Sequence, residues 1–194
     1  MSLHSVALIT PEQYLDADRK AEYKSEYYQG VVYAMSGGSP VHSLIIVSLA
    51  SELRQAVKNR RCFVYSNDLR LRVTPTGLYT YPDIMVVRGD PLFCDDQKDT
   101  VTNPVLIVEV LSKSTEGHDR GFKFSQYRKV ESLQEYILVS QHEPRIERYL
   151  RQPGDQWLLT ESSGLDRSLQ IESLACTIPL AEIYDKVEFA GGIA

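Results

Sequence analysis

Glu109 interrupts an apolar run, with Val105-Leu106-Ile107-Val108 before it and Val110-Leu111 after it. A continuous run of this length and type predicts a strand buried on both faces. An ionised carboxylate there costs several kcal/mol, roughly, unless it holds a metal, a salt bridge or a proton. The plainer alternative is a side chain that emerges at the sheet edge and pairs with an arginine. Asp83 heads a second such run, Ile84-Met85-Val86-Val87, after Tyr81-Pro82. Alone it reads as ordinary turn chemistry. As a pair, two carboxylates on neighbouring buried strands can converge at one end of a sheet and offer hard oxygen ligands to Mg²⁺ or Mn²⁺. Glu26, in Ser25-Glu26-Tyr27-Tyr28, offers a third carboxylate from another element, or else a surface glutamate.

Asp119, Lys123 and Tyr127 recur every four residues and so share one face of a helix. Such a stripe is commonly solvated surface. Phe122, Phe124 and Val130 form no clean apolar face that excludes it, which lets the stripe look into a cleft. Lys123 could then stabilise charge on a phosphate or orient the attacking water. His42 opens the longest helix and either caps it or points into the cleft. His118 reads as a loop residue. Trp157 and the tyrosines of the N-terminal hairpin could stack on bases, although aromatics at strand spacing are more often core.

The elements that must position these side chains follow from pattern. Thr10-Pro11-Glu12-Gln13 is a capped helix start, and the helix should run to about Lys20. Tyr23 to Met35 alternates, with Gln29-Gly30 as a hairpin turn, and Ser36-Gly37-Gly38-Ser39-Pro40 breaks the chain. From Val41 to Lys58, His42, Ile46, Leu49, Leu53 and Val57 mark the long amphipathic helix. Strands follow at Phe63 to Tyr65, Leu69 to Val73, Asp83 to Val87 and Val105 to Leu111. In the second of these, Leu69, Leu71 and Val73 alternate with Asp68, Arg70 and Arg72, as in a half-exposed strand. Asp119 to Val130 is expected to be helical and Glu135 to Val139 a buried strand. Arg145 to Leu150 and Trp157 to Thr160 form a peripheral hairpin around Pro153-Gly154-Asp155. The order is that of one α/β domain, residues 1 to 194, around a mixed sheet.

The bulk numbers bound the function classes. With 194 residues, 43% hydrophobic and 24% charged, the chain can bury an ordinary core. No run approaches the roughly 20 apolar residues of a membrane span, and the start lacks a secretory signal, so a soluble, cytoplasmic protein is expected. Cys62, Cys94 and Cys176 are odd in number and scattered, which favours reduced thiols. The net charge of −5 argues against tight nonspecific phosphate binding. Metal-binding carboxylates would account for part of it, and a bound divalent cation would reverse the local sign.

Taken in order, these residues resemble the Uma-two family, a large group of bacterial proteins assigned as endonucleases and related to the PD-(D/E)XK, restriction-endonuclease-like superfamily. The likeness spans about Thr10 to Leu150. Its pieces are Glu26 with Gly30, His42, Asp68 to Arg72, Tyr81-Pro82-Asp83, Glu109-Val110-Leu111-Ser112, Ser114-Thr115, Asp119-Arg120, Lys123, Tyr127 and Glu135-Tyr136. The resemblance implies an α/β fold (α+β by some schemes), with a mixed central sheet flanked by helices and an additional β-hairpin region.

It further implies that Asp83, Glu109 and Glu26 bind Mg²⁺, with Mn²⁺ as an alternative, helped by the Val110 carbonyl, and that Lys123 completes the catalytic set. Arg70, Tyr127 and His42 are then the expected substrate contacts. The superfamily lysine stands two residues after the glutamate, but here that position is Leu111, and relatives compensate with the helix lysine. Lys113 is a second candidate, since Glu109, Leu111 and Lys113 would share a strand face. It stands where relatives usually show proline and falls beyond the expected strand end.

The expected activity is Mg²⁺-dependent hydrolysis of phosphodiester bonds in DNA by a cytoplasmic homodimer. A different class remains open, a nuclease-fold module of weak or lost activity that binds nucleic acid or a protein. Hydrolysis of another phosphate ester would use the same site.

Overall fold

The computed structural model describes residues 8–35 and 37–189; Ser36, in the expected chain break, lies outside them. The first helix is α1 (Pro11–Asp18), where Thr10 and Gln13 form the reciprocal capping box. The hairpin β1 (Ser25–Tyr28) and β2 (Val31–Ala34) turns at Gln29 and Gly30, both with positive φ, as a two-residue primed turn requires. Helix α2 (Pro40–Ala56) is capped by Ser39, whose hydroxyl accepts the His42 N–H. The strands β3 (Cys62–Ser66), β4 (Arg70–Val73), β5 (Leu78–Thr80), β6 (Ile84–Arg88), β7 (Thr100–Val101) and β8 (Leu106–Leu111) follow.

The next helical stretch begins as α3 (Glu116–His118), passes through a π-helical turn at Asp119–Lys123 and ends as α4 (Phe124–Tyr127). It thus starts and stops earlier than the expected Asp119 to Val130. Then come β9 (Glu135–Ser140), β10 (Arg145–Arg151), β11 (Trp157–Ser163), β12 (Ser168–Ile171), β13 (Cys176–Pro179) and α5 (Leu180–Ile183).

The strands divide between two main sheets rather than one. The larger has the order β11-β10-β9-β8-β6-β3 and the other β2-β1-β5-β4-β7; β12 and β13 form a small ribbon. Both main sheets are mixed, with β8–β9 and β4–β7 parallel and the remaining pairs antiparallel. The expectation of a mixed central sheet flanked by helices therefore holds, with a second sheet added to it.

Strand period decides which side chains meet. Val108 and Val110 of β8 point toward α2, where Ile45, Leu49 and Leu53 join them in one core with Leu169, Ile171, Ile178 and Ile183. Ile107 and Leu111 point the other way, into a second core between the sheets with Leu71, Leu78, Tyr127, Tyr136 and Leu138. Glu109 alternates with the first set and so enters the second core. Beneath α1, Tyr14, Leu15, Tyr27 and Tyr79 make a third core.

Candidate active site

Strands β6 and β8 pair antiparallel, with Ile84 opposite Val108, so the next positions in that register are Asp83 and Glu109. There the ladder gives way to side chains. The Asp83 N–H donates to Glu109 Oε2 at 3.3 Å, and the Val110 N–H donates to Asp83 Oδ2 at 2.8 Å. Each carboxylate is thus gripped by the other strand's backbone. Glu109 is 3% exposed, and its remaining oxygen accepts from the Tyr127 hydroxyl at 2.7 Å and from the Lys123 ammonium at 3.1 Å.

Four other elements deliver the rest. From the first turn of α2, His42 Nε2 lies 3.2 Å from Asp83 Oδ2. From β1, Glu26 Oε1 lies 3.4 Å from Lys123 Nζ and accepts from the Thr80 hydroxyl of β5. Asp119 and Lys123 come from the π-helical turn, where the Phe124 N–H reaches back five residues to the Asp119 carbonyl. That carbonyl also accepts from the Tyr136 hydroxyl at 3.1 Å. Asp119 Oδ1 stands 3.4 Å from Lys123 Nζ. Exposure grades across the cluster: the Asp83, Glu26 and His42 side chains keep 13–16%, whereas those of Glu109 and Asp119 keep 3%. The partly open groups form its mouth.

The electrostatics are unbalanced. Burial first, then Asp83 and Asp119, push the Glu109 carboxyl up to about 8 against the opposing pull of Lys123 and the Tyr127 hydrogen bond. Burial also raises Asp119. Burial would lower Lys123, but Glu109, Glu26 and Asp119 outweigh it and hold the ammonium well above its ordinary value. His42 is raised by its hydrogen bond to Asp83 against the cost of burial. Four acids thus share Lys123 and His42, with His118 3.9 Å from Glu26 at the edge.

Among the described residues, no three His, Cys, Asp or Glu side chains are gathered as a ready cation cage. The Lys123 ammonium stands among the acids instead. The donor chemistry nonetheless fits a hard divalent cation: the ligands are carboxylates, their negative charge exceeds that of their partners, and the buried Asp119 Oδ1 lacks a hydrogen-bond partner.

The sequence-predicted residues separate on this geometry. Asp83, Glu109, Glu26, Lys123 and His42 come together. Tyr127 is fully buried with its hydroxyl on Glu109, so it orients that acid and has no surface for substrate. Arg70 is also misassigned as a substrate contact. Its guanidinium is 4% exposed, bonded to Asp18 Oδ2 at 2.7 Å and to the Thr100 hydroxyl at 2.8 Å, and lies over the Tyr14 and Tyr81 rings.

The other candidates fall into plainer roles. Lys113 is exposed in the turn after β8, while Leu111 sits in the second core. His118 is half-exposed at the end of α3, stacked on Phe122 and 3.9 Å from Glu26. Trp157 is packed edge-on against Phe124 with Arg151 over its ring, and Tyr27 is buried and stacked on Tyr14, whereas Tyr23 and Tyr33 are exposed. Sequence reasoning placed Asp119 on the right face and noted Tyr136 but gave neither a role, and it missed Thr80. The i to i+4 spacing did single out Tyr127, while Tyr136 was noted only as part of Glu135-Tyr136 and Thr80 carried no signal.

Comparison with known proteins gives the family and the fold. The family model described as "Putative restriction endonuclease", Uma2, matches residues 11–181. Two proteins of Synechocystis sp. (strain ATCC 27184 / PCC 6803 / Kazusa) are each 36% identical. "Uncharacterized protein sll1609" aligns over 88% of this chain and 96% of its own length, and "Uncharacterized protein slr1290" over 93% and 94%. Among solved structures, that of "a putative nuclease belonging to DUF820 from Anabaena variabilis ATCC 29413" shares the fold with a TM-score of 0.74 at 19% identity, covering 91% of this chain and 97% of that one. A nuclease-type fold, an acid cluster at the paired ends of β6 and β8, and a family match over most of the chain converge: the protein belongs to the Uma2 family of restriction-endonuclease-like proteins.

Proposed function

We propose that the protein is a Mg²⁺-dependent endonuclease that hydrolyses phosphodiester bonds in DNA. The observation that carries this reading is the side-by-side placement of Asp83 and Glu109 at the paired ends of two buried strands, with a protonated lysine bonded to one of them. A binding module would gain nothing from acids facing a polyanion, whereas a phosphodiesterase needs them to hold a cation.

Asp83, Glu109 and Glu26 would hold Mg²⁺, with Mn²⁺ as a substitute of the same ligand class. When bound, the cation supplies Lewis acidity toward the phosphoryl group and lowers the pKa of water. The chain does the remainder. Tyr127 fixes the Glu109 carboxylate, and the Val110 N–H and His42 fix that of Asp83. Lys123 brings a permanent positive charge that can face phosphate oxygens as negative charge develops on them. His42, at the mouth, is placed to meet the substrate backbone. A two-fold homodimer would let two such sites cut opposite strands.

Among the described residues no helix is long and apolar enough to cross a membrane. A cytoplasmic setting, with free access to DNA, suits this activity.

Plasmid and single-stranded DNA, incubated with wild type and with Asp83→Asn in the presence and absence of Mg²⁺ or Mn²⁺, test the reading. Cation-dependent cleavage by wild type alone is expected. A folded wild type that cuts neither substrate with either cation would contradict it.

A further inference from the structure

The Lys123 ammonium touches three acids at once, at 3.1 Å from Glu109 Oε1 and 3.4 Å from both Glu26 Oε1 and Asp119 Oδ1. Of these contacts only the one to Glu109 has hydrogen-bond geometry. Asp119 is 2% exposed, and its Oδ1 lacks a hydrogen-bond partner among the described residues. A buried carboxylate oxygen that no hydrogen bond satisfies is costly and calls for an explanation, even with an ammonium at 3.4 Å. The π-helical turn aims that oxygen at the ammonium, and the Tyr136 hydroxyl on the Asp119 carbonyl fixes the turn. Turns of this kind are rare and are frequently found at functional sites.

Two facts then need one explanation. The lysine lies on the very carboxylates that would hold a cation, and a neighbouring acid 3.4 Å from its ammonium has an oxygen with no hydrogen bond among the described residues. An ammonium and a divalent cation repel strongly in a poorly solvated site, so both cannot be served by Glu109 and Glu26 in the same way. The lysine stem is flexible enough to move its charge between adjacent acceptors.

We propose that Lys123 is the built-in counter-ion of the site, competing with a divalent cation for Glu109 and Glu26, and that Asp119 is the positioning residue that receives the ammonium when the cation binds. This rests on the reading that these acids hold a cation. It adds a reason for the lysine to come from a helix, where a partner four residues earlier can retain it beside the site. Asp119 acts through Lys123 and sets where that charge stands relative to the substrate phosphate. Cation affinity is therefore weakened by the lysine and restored in part by Asp119.

Nitrogen-15 NMR of the lysine Nζ groups in wild-type protein, titrated with Mg²⁺, reads the exchange directly and needs no variant to fold. The Lys123 signal is expected to shift on saturation. A signal that stays fixed while the Asp83 and Glu109 carboxyl signals move would overturn the proposal. Calorimetric titration with Mn²⁺ gives the second arm. Lys123→Met should bind on the order of ten-fold tighter than wild type and Asp119→Asn on the order of ten-fold weaker. Wild-type affinity in both folded variants would also overturn it. No Mn²⁺ binding by wild type would remove both this proposal and the cation site, whereas the expected affinities without DNA cleavage would leave the exchange standing and remove the nuclease reading.

Discussion

Two buried ionic clusters in this protein are built from the same residue types and reach opposite electrostatic outcomes. Around Asp18, every carboxylate oxygen is answered. The Arg70 guanidinium, the Tyr81 hydroxyl and both the N–H and hydroxyl of Ser25 bond to it, and Arg70 continues through Thr100 to Asp99, which Arg19 clamps from outside. Burial alone would raise Asp18, but these hydrogen bonds outweigh it and hold the acid below its ordinary value. Around Glu109, burial and neighbouring acids win, and both Glu109 and Asp119 are raised. In the first cluster both Asp18 oxygens are bonded, Arg70 Nε alone being left without a partner among the described residues, and the cluster ties α1 to β1 and β4. The second contains more acid than its own cations can satisfy, which is the condition of a site awaiting a ligand.

Substitutions should separate the two by what they damage. The largest effect is expected from Asp83→Asn and Glu109→Gln, which should lower cation-dependent DNA cleavage by roughly 10³-fold or more, as loss of a principal electrostatic group does. The metal-free thermal stability of Glu109→Gln should stay near that of wild type, because burial and neighbouring acids already disfavour the charge it removes. A cleavage-competent Glu109→Gln, or one as unstable as an Arg70 variant, breaks the comparison.

Next in size is Arg70→Ala. It leaves Asp18 buried without its guanidinium, at a cost of about 3–5 kcal/mol, measurable as a lowered denaturant midpoint. A loss below about 1 kcal/mol would show that the Asp18 cluster is not the structural one.

Acid titration sharpens the same contrast. Asp18 is lowered, and Asp99 is held at about 2, first by its hydrogen bond to Arg19. Their folded-state values lie below the unfolded ones, so the stability they contribute is fully present above about pH 4 and is lost as pH falls toward 2. The unfolding free energy should decline through that window, and more shallowly in a folded Asp99→Asn variant than in wild type. Equal slopes would mean that Asp99 contributes nothing.

Smallest is Tyr127→Phe. Removing one hydroxyl from a buried carboxylate costs about 1.5–3 kcal/mol in the free energy of orienting Glu109. Cleavage should fall by roughly ten-fold to a hundred-fold, with DNA affinity unchanged. A selective loss of DNA binding would instead return Tyr127 to the substrate surface.

How much of this was legible in the sequence depended on whether the signal was local. Glu109 stood out because a carboxylate breaks an apolar run, and Asp83 because a second run begins beside it. Lys123 followed from helical spacing. Arg70 misled because alternation along β4 implied one solvated face, while the Asp18 carboxylate and the tyrosines that bury that face come from elsewhere in the chain. Asp119 was undervalued because a π-helical turn leaves no mark in composition. Tyr127 looked like a substrate contact for the same reason that it is a good orienting group, a polar tip on a large apolar body. The division into two main sheets, and the closing of the first core by Leu169, Ile171, Ile178 and Ile183, depend on long-range pairing that spaced single apolar residues do not announce.

The central claim is that the Glu109 cluster is completed by a divalent cation, as the Asp18 cluster is by Arg70. Thermal unfolding of wild type and Glu109→Gln at pH 8, each with and without millimolar-range Mg²⁺, tests it most directly. The account predicts that Mg²⁺ raises the wild-type Tm by several degrees, roughly, and leaves Glu109→Gln unmoved. A wild-type Tm indifferent to Mg²⁺ and Mn²⁺, or an equal shift in both proteins, would contradict it.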